Sequence, residues 1–98
     1  MQVFELRMRT FYIWWRLATI DIRKRINLSE QLMMWRFAER NPNRFFKNNF
    51  GFELSTNRDK IDSNVIYSRF YVRVYNSKRT SAFMLRHGLN FDDMQDLT

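Results

Sequence analysis

Val3 to Ile26 reads VFELRMRTFYIWWRLATIDIRKRI, with neither glycine nor proline to interrupt it. Phe4, Met8, Phe11, Trp15, Ala18 and Ile22 recur in steps of three and four, the spacing of one face of a helix. The stretch predicts one long helix with Arg7, Arg9, Arg16, Arg23, Lys24 and Arg25 on its sides. Ile13, Trp14, Leu17 and Ile20 fall off the first face, so the helix is apolar over more than one stripe and is either enclosed by partners or packed on two sides.

Working outward, Asn27-Leu28-Ser29-Glu30 is a break followed by a restart, since Asn27 with Glu30 three residues later matches a capping box. A second helix is expected through Leu32, Met33, Trp35, Arg36 and Phe37 to about Arg40, ended by Pro42. Residues 1–42 thus read as a basic aromatic helical hairpin. Residues 43–64 read as an irregular linker, and Phe45, Phe46, Phe50 and Phe52 are expected to plug into a neighbouring surface. From Val65 to Tyr75 the period changes to two. Ile66, Phe70, Val72 and Val74 face one way; Tyr67, Arg69, Tyr71, Arg73 and Tyr75 face the other. Thr80 to His87 suits a short helix closed by Gly88. Asn90 is a good cap for another, with Asp92 and Asp93 in its first turn. The expected class is therefore mainly α with an extended RNA-binding segment: an N-terminal helix pair, an irregular linker, an extended arm and two short C-terminal helices. All of it forms one domain, with 65–98 as the binding segment.

Composition narrows function. Ninety-eight residues carry 45% apolar and 17% aromatic side chains, yet Lys plus Arg outnumber Asp plus Glu by 17 to 10, for a net charge of +7. Such a chain wants protein or lipid for its apolar surface and phosphate for its charge. With no cysteine and one histidine, His87, a thiol nucleophile and Cys-based zinc sites are excluded, and two glycines leave no phosphate-cradling loop. No catalytic residue, metal site, cofactor or small-molecule substrate is expected, and the chain is read as a non-enzyme. The longest unbroken apolar run is Phe11 to Trp15, far short of the about 20 residues a membrane span needs, so no transmembrane segment is expected.

The alternating segment carries the binding chemistry. Guanidinium groups pair with phosphates and stack on bases, and aromatic planes offer stacking platforms. The candidate RNA-binding residues are Arg69, Tyr71, Arg73, Asn76, Ser77, Lys78, Arg79 and Arg86. A solvated edge strand whose charges prevent aggregation would show the same alternation, and the arginines of the first helix serve solubility as readily as contact with RNA.

From Asn64 to Leu97 the chain resembles the small-subunit ribosomal protein S-fourteen family. Asn64 stands at that family's Asn-Ser-Ser-Pro element, Ser68-Arg69 at its Thr-Arg, and Arg73 at the arginine before its cysteine. Ser77-Lys78-Arg79 stands at its Thr-Gly-Arg, Gly88-Leu89-Asn90 at its Gly-Leu-Ser, and Asp96-Leu97 at its Glu-Leu. Val74 replaces the cysteine, so the likeness is to the zinc-free branch. Lys78 replaces a glycine, Phe91 an arginine, and the family's closing tail is absent. The resemblance implies a structural constituent of the ribosome, a small-subunit head protein that binds ribosomal RNA and neighbouring head proteins. A composition rich in Phe and Asn and poor in Gly suits an organelle-encoded protein of the mitochondrial ribosome in the matrix, or of another organellar ribosome. The alternative is an accessory subunit of an organellar membrane complex, its basic aromatic helix lying at the lipid interface.

Overall fold

The computed structural model describes residues 1–25, 40–62, 65–90, 92 and 94–97, of which 58–62 and 65–68 are described by their backbone alone. The described chain runs β1 (Gln2–Leu6), α1 (Met8–Arg25), α2 (Pro42–Phe50), β2 (Phe52–Asp62), β3 (Val65–Val74), α3 (Ser77–His87) and β4 (Met94–Asp96). The strands form one sheet in the order β2-β3-β1-β4, and every neighbouring pair is antiparallel. Two β-α-β units therefore interleave, each filling the gap left between the other's strands, which is the split βαβ arrangement of ferredoxin-like folds. The short helix α2 is an addition ahead of β2.

The expectation of a mainly α chain is overturned at four places. Residues 3–6 do not continue the helix. They pair with β3 on one side and β4 on the other, with Phe4 opposite Val72 and Leu6 opposite Phe70. Phe4 and Leu6 suit either period, and over so short a run the pairing partners decide. The helix begins after them, where the Phe11 amide donates to the Arg7 carbonyl at 2.9 Å. The linker is not irregular, since it holds all of α2 but Pro42 and the whole of β2. Pro42 opens a helix, because its missing N–H falls where a first-turn donor has no partner anyway. The alternating segment is an inner strand rather than an arm. Finally, Met94–Asp96 is an edge strand where a second C-terminal helix was expected. The expected second N-terminal helix lies outside the described residues but for Arg40, and so do Phe91 and Asp93.

One core joins these elements. Leu6, Phe52, Leu54, Phe70, Val72 and Val74 supply it from the sheet, and Phe11, Trp14, Ala18, Ile22, Phe46, Phe50, Phe83 and Met84 from the helices. All three helices of the described chain thus lie on one face of the sheet. Phe46, Phe50 and Phe52 are not plugs for a partner: each is buried in the chain's own core, and Phe45 packs against it. Asn43 closes part of the outer edge of β2. Its amide nitrogen donates to the Leu54 carbonyl and its oxygen accepts from the Leu54 amide, both at 2.8 Å, as a neighbouring strand would.

Both glycines end helices in the left-handed region, Gly51 at φ 73° and Gly88 at φ 65°. Their surroundings differ. A Cβ on Gly51 would come within 2.7 Å of Asn76, both its Cβ and its carbonyl oxygen, whereas nothing lies within 4 Å at Gly88. The Gly51 carbonyl also accepts from the Tyr75 and Asn76 amides at 2.8 and 3.0 Å, tying the end of α2 to the junction of β3 and α3. Gly88→Ala should cost roughly 1–2 kcal/mol, the strain of a left-handed L-residue. Gly51→Ala should lose roughly 1–3 kcal/mol more through overpacking. Urea denaturation of the two variants checks the order; equal midpoints would mean that the close approach to Asn76 is not a constraint.

Candidate nucleic-acid interface

A strand sends alternate side chains to opposite faces, so the register of the sheet assigns what the face uncovered among the described residues carries. With Phe70, Val72 and Val74 turned to the helices, Arg69, Tyr71 and Arg73 turn away from them. Arg73 lies between Glu53 of β2 and Val3 of β1. Tyr71 lies between Ser55 and Glu5, and Gln95 of β4 extends that row beyond Glu5. Arg69 lies opposite Asn57, and the Leu97 amide reaches the Val3 carbonyl at 2.9 Å, placing Leu97 beside the Arg73 row. Arg69, Arg73, Asn57 and Gln95 are exposed; Tyr71, Glu5, Glu53, Ser55 and Val3 are half-buried. The Ser55 hydroxyl is buried without a hydrogen-bond partner among the described residues.

This face is mixed in charge. Arg69 and Arg73 flank Tyr71 on the inner strand, with Glu53 opposite Arg73 on β2 and Glu5 opposite Tyr71 on β1. Bare phosphate would be drawn by a face of one sign. A face combining a stacking plane with donors and acceptors at fixed spacing suits base edges as well, since carboxylates accept from amino groups and guanidiniums donate to ring nitrogens and carbonyls. At the end of β3, Tyr75 is 40% exposed, and the Lys47 ammonium of α2 sits 4.1 Å from its ring centroid. Tyr67 is among the residues described by backbone alone.

The remaining sequence-predicted residues do not all join this face. Asn76 caps α3, its side chain accepting from the Arg79 amide at 3.1 Å. Ser77 and Lys78 are exposed in the first turn, and Lys78 has helical backbone. The Arg79 guanidinium donates to the Asn48 carbonyl at 2.6 Å and so bridges α3 to α2. Arg86 lies in the helical layer. Its Nη2 meets Asp21 Oδ2 at 2.5 Å, and His87 Nε2 meets the same oxygen at 2.8 Å, with the His87 ring edge-on to Phe83. Asp21 is the buried charge of α1, and these two partners fasten α1 to α3.

Several residues of the surface escaped sequence reading, Ser55, Asn57 and Gln95 among them. Glu5 and Glu53 belong to the face only through strand register, which no local pattern contains. Lys47 had a signal, the placement of Pro42 at a helix start with Gly51 at its end, which would have put Lys47 on a helix. Among the described residues no group of three or more His, Cys, Asp or Glu side chains could hold a metal ion, and no helix is long and apolar enough to cross a membrane. No family model matches the chain, and neither curated proteins nor solved structures yield a match.

The Asp21 cluster makes a stability prediction. Removing the buried carboxylate in Asp21→Ala strands Arg86 and His87 and should cost about 1–3 kcal/mol, as for loss of a buried charge-assisted hydrogen bond. The Arg86 side chain is 47% exposed, so solvent screening limits Arg86→Gln to about 0.5–1 kcal/mol. Thermal melts of both variants test this; a silent Asp21→Ala would show that the cluster does not hold the two helices together.

Proposed function

We propose that this chain is a non-catalytic RNA-binding protein, a structural constituent of a small ribosomal subunit, which holds ribosomal RNA against the uncovered face of its sheet. The reading is carried by one observation: the inner strand β3 presents Arg69, Tyr71 and Arg73 in consecutive outward positions on the face the helices leave bare. A four-stranded sheet with aromatic side chains on its inner strands is a recurrent platform for splayed, single-stranded RNA, its bases stacked on the rings. The topology alone fits many functions, so the weight rests on those side chains. The net charge of +7 supplies attraction to a polyanion, and the exposed Lys78 and Ser77 extend the surface past the end of β3. The chain's single histidine is engaged by Asp21 and Phe83, which supports a structural role for it.

The reading is sharper than a generic basic patch, because it separates stacking from charge. Tyr71→Ala should weaken binding to single-stranded fragments of small-subunit ribosomal RNA by about 5- to 150-fold, the loss of one base–aromatic stack. Arg73→Ala should weaken it and lower the slope of log affinity against log salt by about one unit. Fluorescence anisotropy over a salt series reads both. In extracts the chain should sediment with small subunits and be released by ribonuclease. Unchanged affinity in Tyr71→Ala would overturn the reading; migration with detergent micelles would favour the membrane-complex alternative instead.

A further inference from the structure

The outward face of α1 forms a second cationic surface on the far side of the molecule from the sheet's uncovered face. Viewed down the helix, Phe11, Trp14, Ala18 and Ile22 occupy the buried side. Arg9, Arg16 and Arg23 lie opposite, seven residues apart, and all three are exposed. Seven residues return almost to the same direction, with a drift of about 20°. At 1.5 Å per residue the guanidiniums follow one another at about 10.5 Å along a row of about 21 Å. Arg23 closes the row and also has a partner within the chain. Between Arg9 and Arg16 stands Tyr12, 59% exposed, one helical turn from each arginine. The one acid of α1, Asp21, is buried on Arg86 and His87 and adds nothing to this face.

We infer that the α1 row binds the phosphate backbone of a second RNA segment, so that one chain bridges two RNA elements held on opposite sides of it. The row is long, straight and of one sign, which complements a rod of regularly spaced negative charge better than a point anion. It differs from the sheet face in having no carboxylate among its exposed side chains. An anionic lipid surface is the poorer fit. An interfacial helix buries a broad apolar face in the lipid, and the broad apolar face of α1 is already spent on the core, leaving Met8, Tyr12, Ile13 and the half-buried Ile20 beside the arginines.

The inference rests on the proposed function for the class of partner, and the experiment separates the two. A single-stranded ribosomal RNA fragment is fixed to a surface, the full chain is bound to it, and a labelled RNA hairpin is offered in solution. The unaltered chain should capture the hairpin. Arg9→Gln/Arg16→Gln changes two exposed side chains and should keep the fold by circular dichroism. It should bind the fixed strand with affinity within about twofold of the unaltered chain, capture the hairpin at least tenfold less well, and lower the salt slope of hairpin binding by about two units. Tyr71→Ala should lose the fixed strand and retain the hairpin. No hairpin capture by the unaltered chain, or undiminished capture by Arg9→Gln/Arg16→Gln, overturns the inference while leaving the sheet reading intact. Undiminished binding of the fixed strand by Tyr71→Ala overturns the sheet reading instead. If the double variant loses binding to phosphatidylserine vesicles but none to RNA, the row belongs to a membrane and the inference fails.

Discussion

The ring of Phe83 is where the structure is tied together. It lies 5.6 Å from Trp14 of α1, 4.9 Å from Phe50 of α2 and 5.0 Å from Phe52 of β2, centroid to centroid, so one side chain of α3 touches every other helix described and the sheet. The pairs are tilted, which avoids the unfavourable face-to-face arrangement and adds to what area burial alone supplies. A chain of 98 residues has little interior to offer, and an aromatic-rich composition has to be concentrated in it. Placing that cluster between the helices and one face of the sheet satisfies the requirement. The consequence is that every helix described is drawn to the same side. Among the described residues, no helix covers the opposite face of the sheet.

How much of this the sequence discloses depends on how local each signal is. The alternation from Val65 to Tyr75 is long enough to declare a strand, and it correctly separates Phe70, Val72 and Val74 from Arg69, Tyr71 and Arg73. The helix ending at Gly88 is equally legible, because a glycine cap is a property of one turn of chain. Met8 to Arg25 reads as a helix on its own periodicity. β1 is not legible. Five residues compatible with either period sit directly before a strong helix, and only β3 and β4, far along the chain, decide for the strand. β2 hides behind its polar second half, since alternation is visible in Phe52, Leu54 and Thr56 and then fades. β4 is three residues long and follows asparagine and aspartates that suit a helix start, so its identity rests on pairing with β1. The missed strands are those whose stability is non-local, and with them went the sheet and the glutamates that share its outer face; α2 is missed although Pro42 and Gly51 mark its ends locally.

The polar chemistry follows the same division of the molecule. On the helical side, acid is used internally: Asp21 is consumed by Arg86 and His87, and the cations of α1 remain outside. On the sheet side, acid and base are interleaved at the surface by strand register, with Glu5 and Glu53 on either side of β3. One surface can attract charge over distance, and the other discriminates at contact. A protein that held RNA by net charge alone would have no use for carboxylates on its binding face. On the proposed reading, the carboxylates on the sheet face fit recognition of bases, for which both signs of hydrogen-bonding partner are wanted.

An inner strand also serves such recognition better than the extended arm that the alternation by itself suggests. A free arm must be ordered when it binds, at a cost of roughly 1–2 kcal/mol for each residue fixed. β3 is paired along one side with β2 and along the other with β1, so the directions of Arg69, Tyr71 and Arg73 are set before any partner arrives. Successive outward residues on a strand stand about 6.8 Å apart, twice the rise per residue. Neighbouring bases in a nucleic-acid stack are separated by about 3.4 Å. Side chains at twice that spacing cannot follow a continuous stack, and can engage neighbouring bases only where these are spread apart. On the proposed reading, the geometry of the strand therefore favours loops, bulges and ends over paired helices, the kind of site where proteins read RNA by its bases.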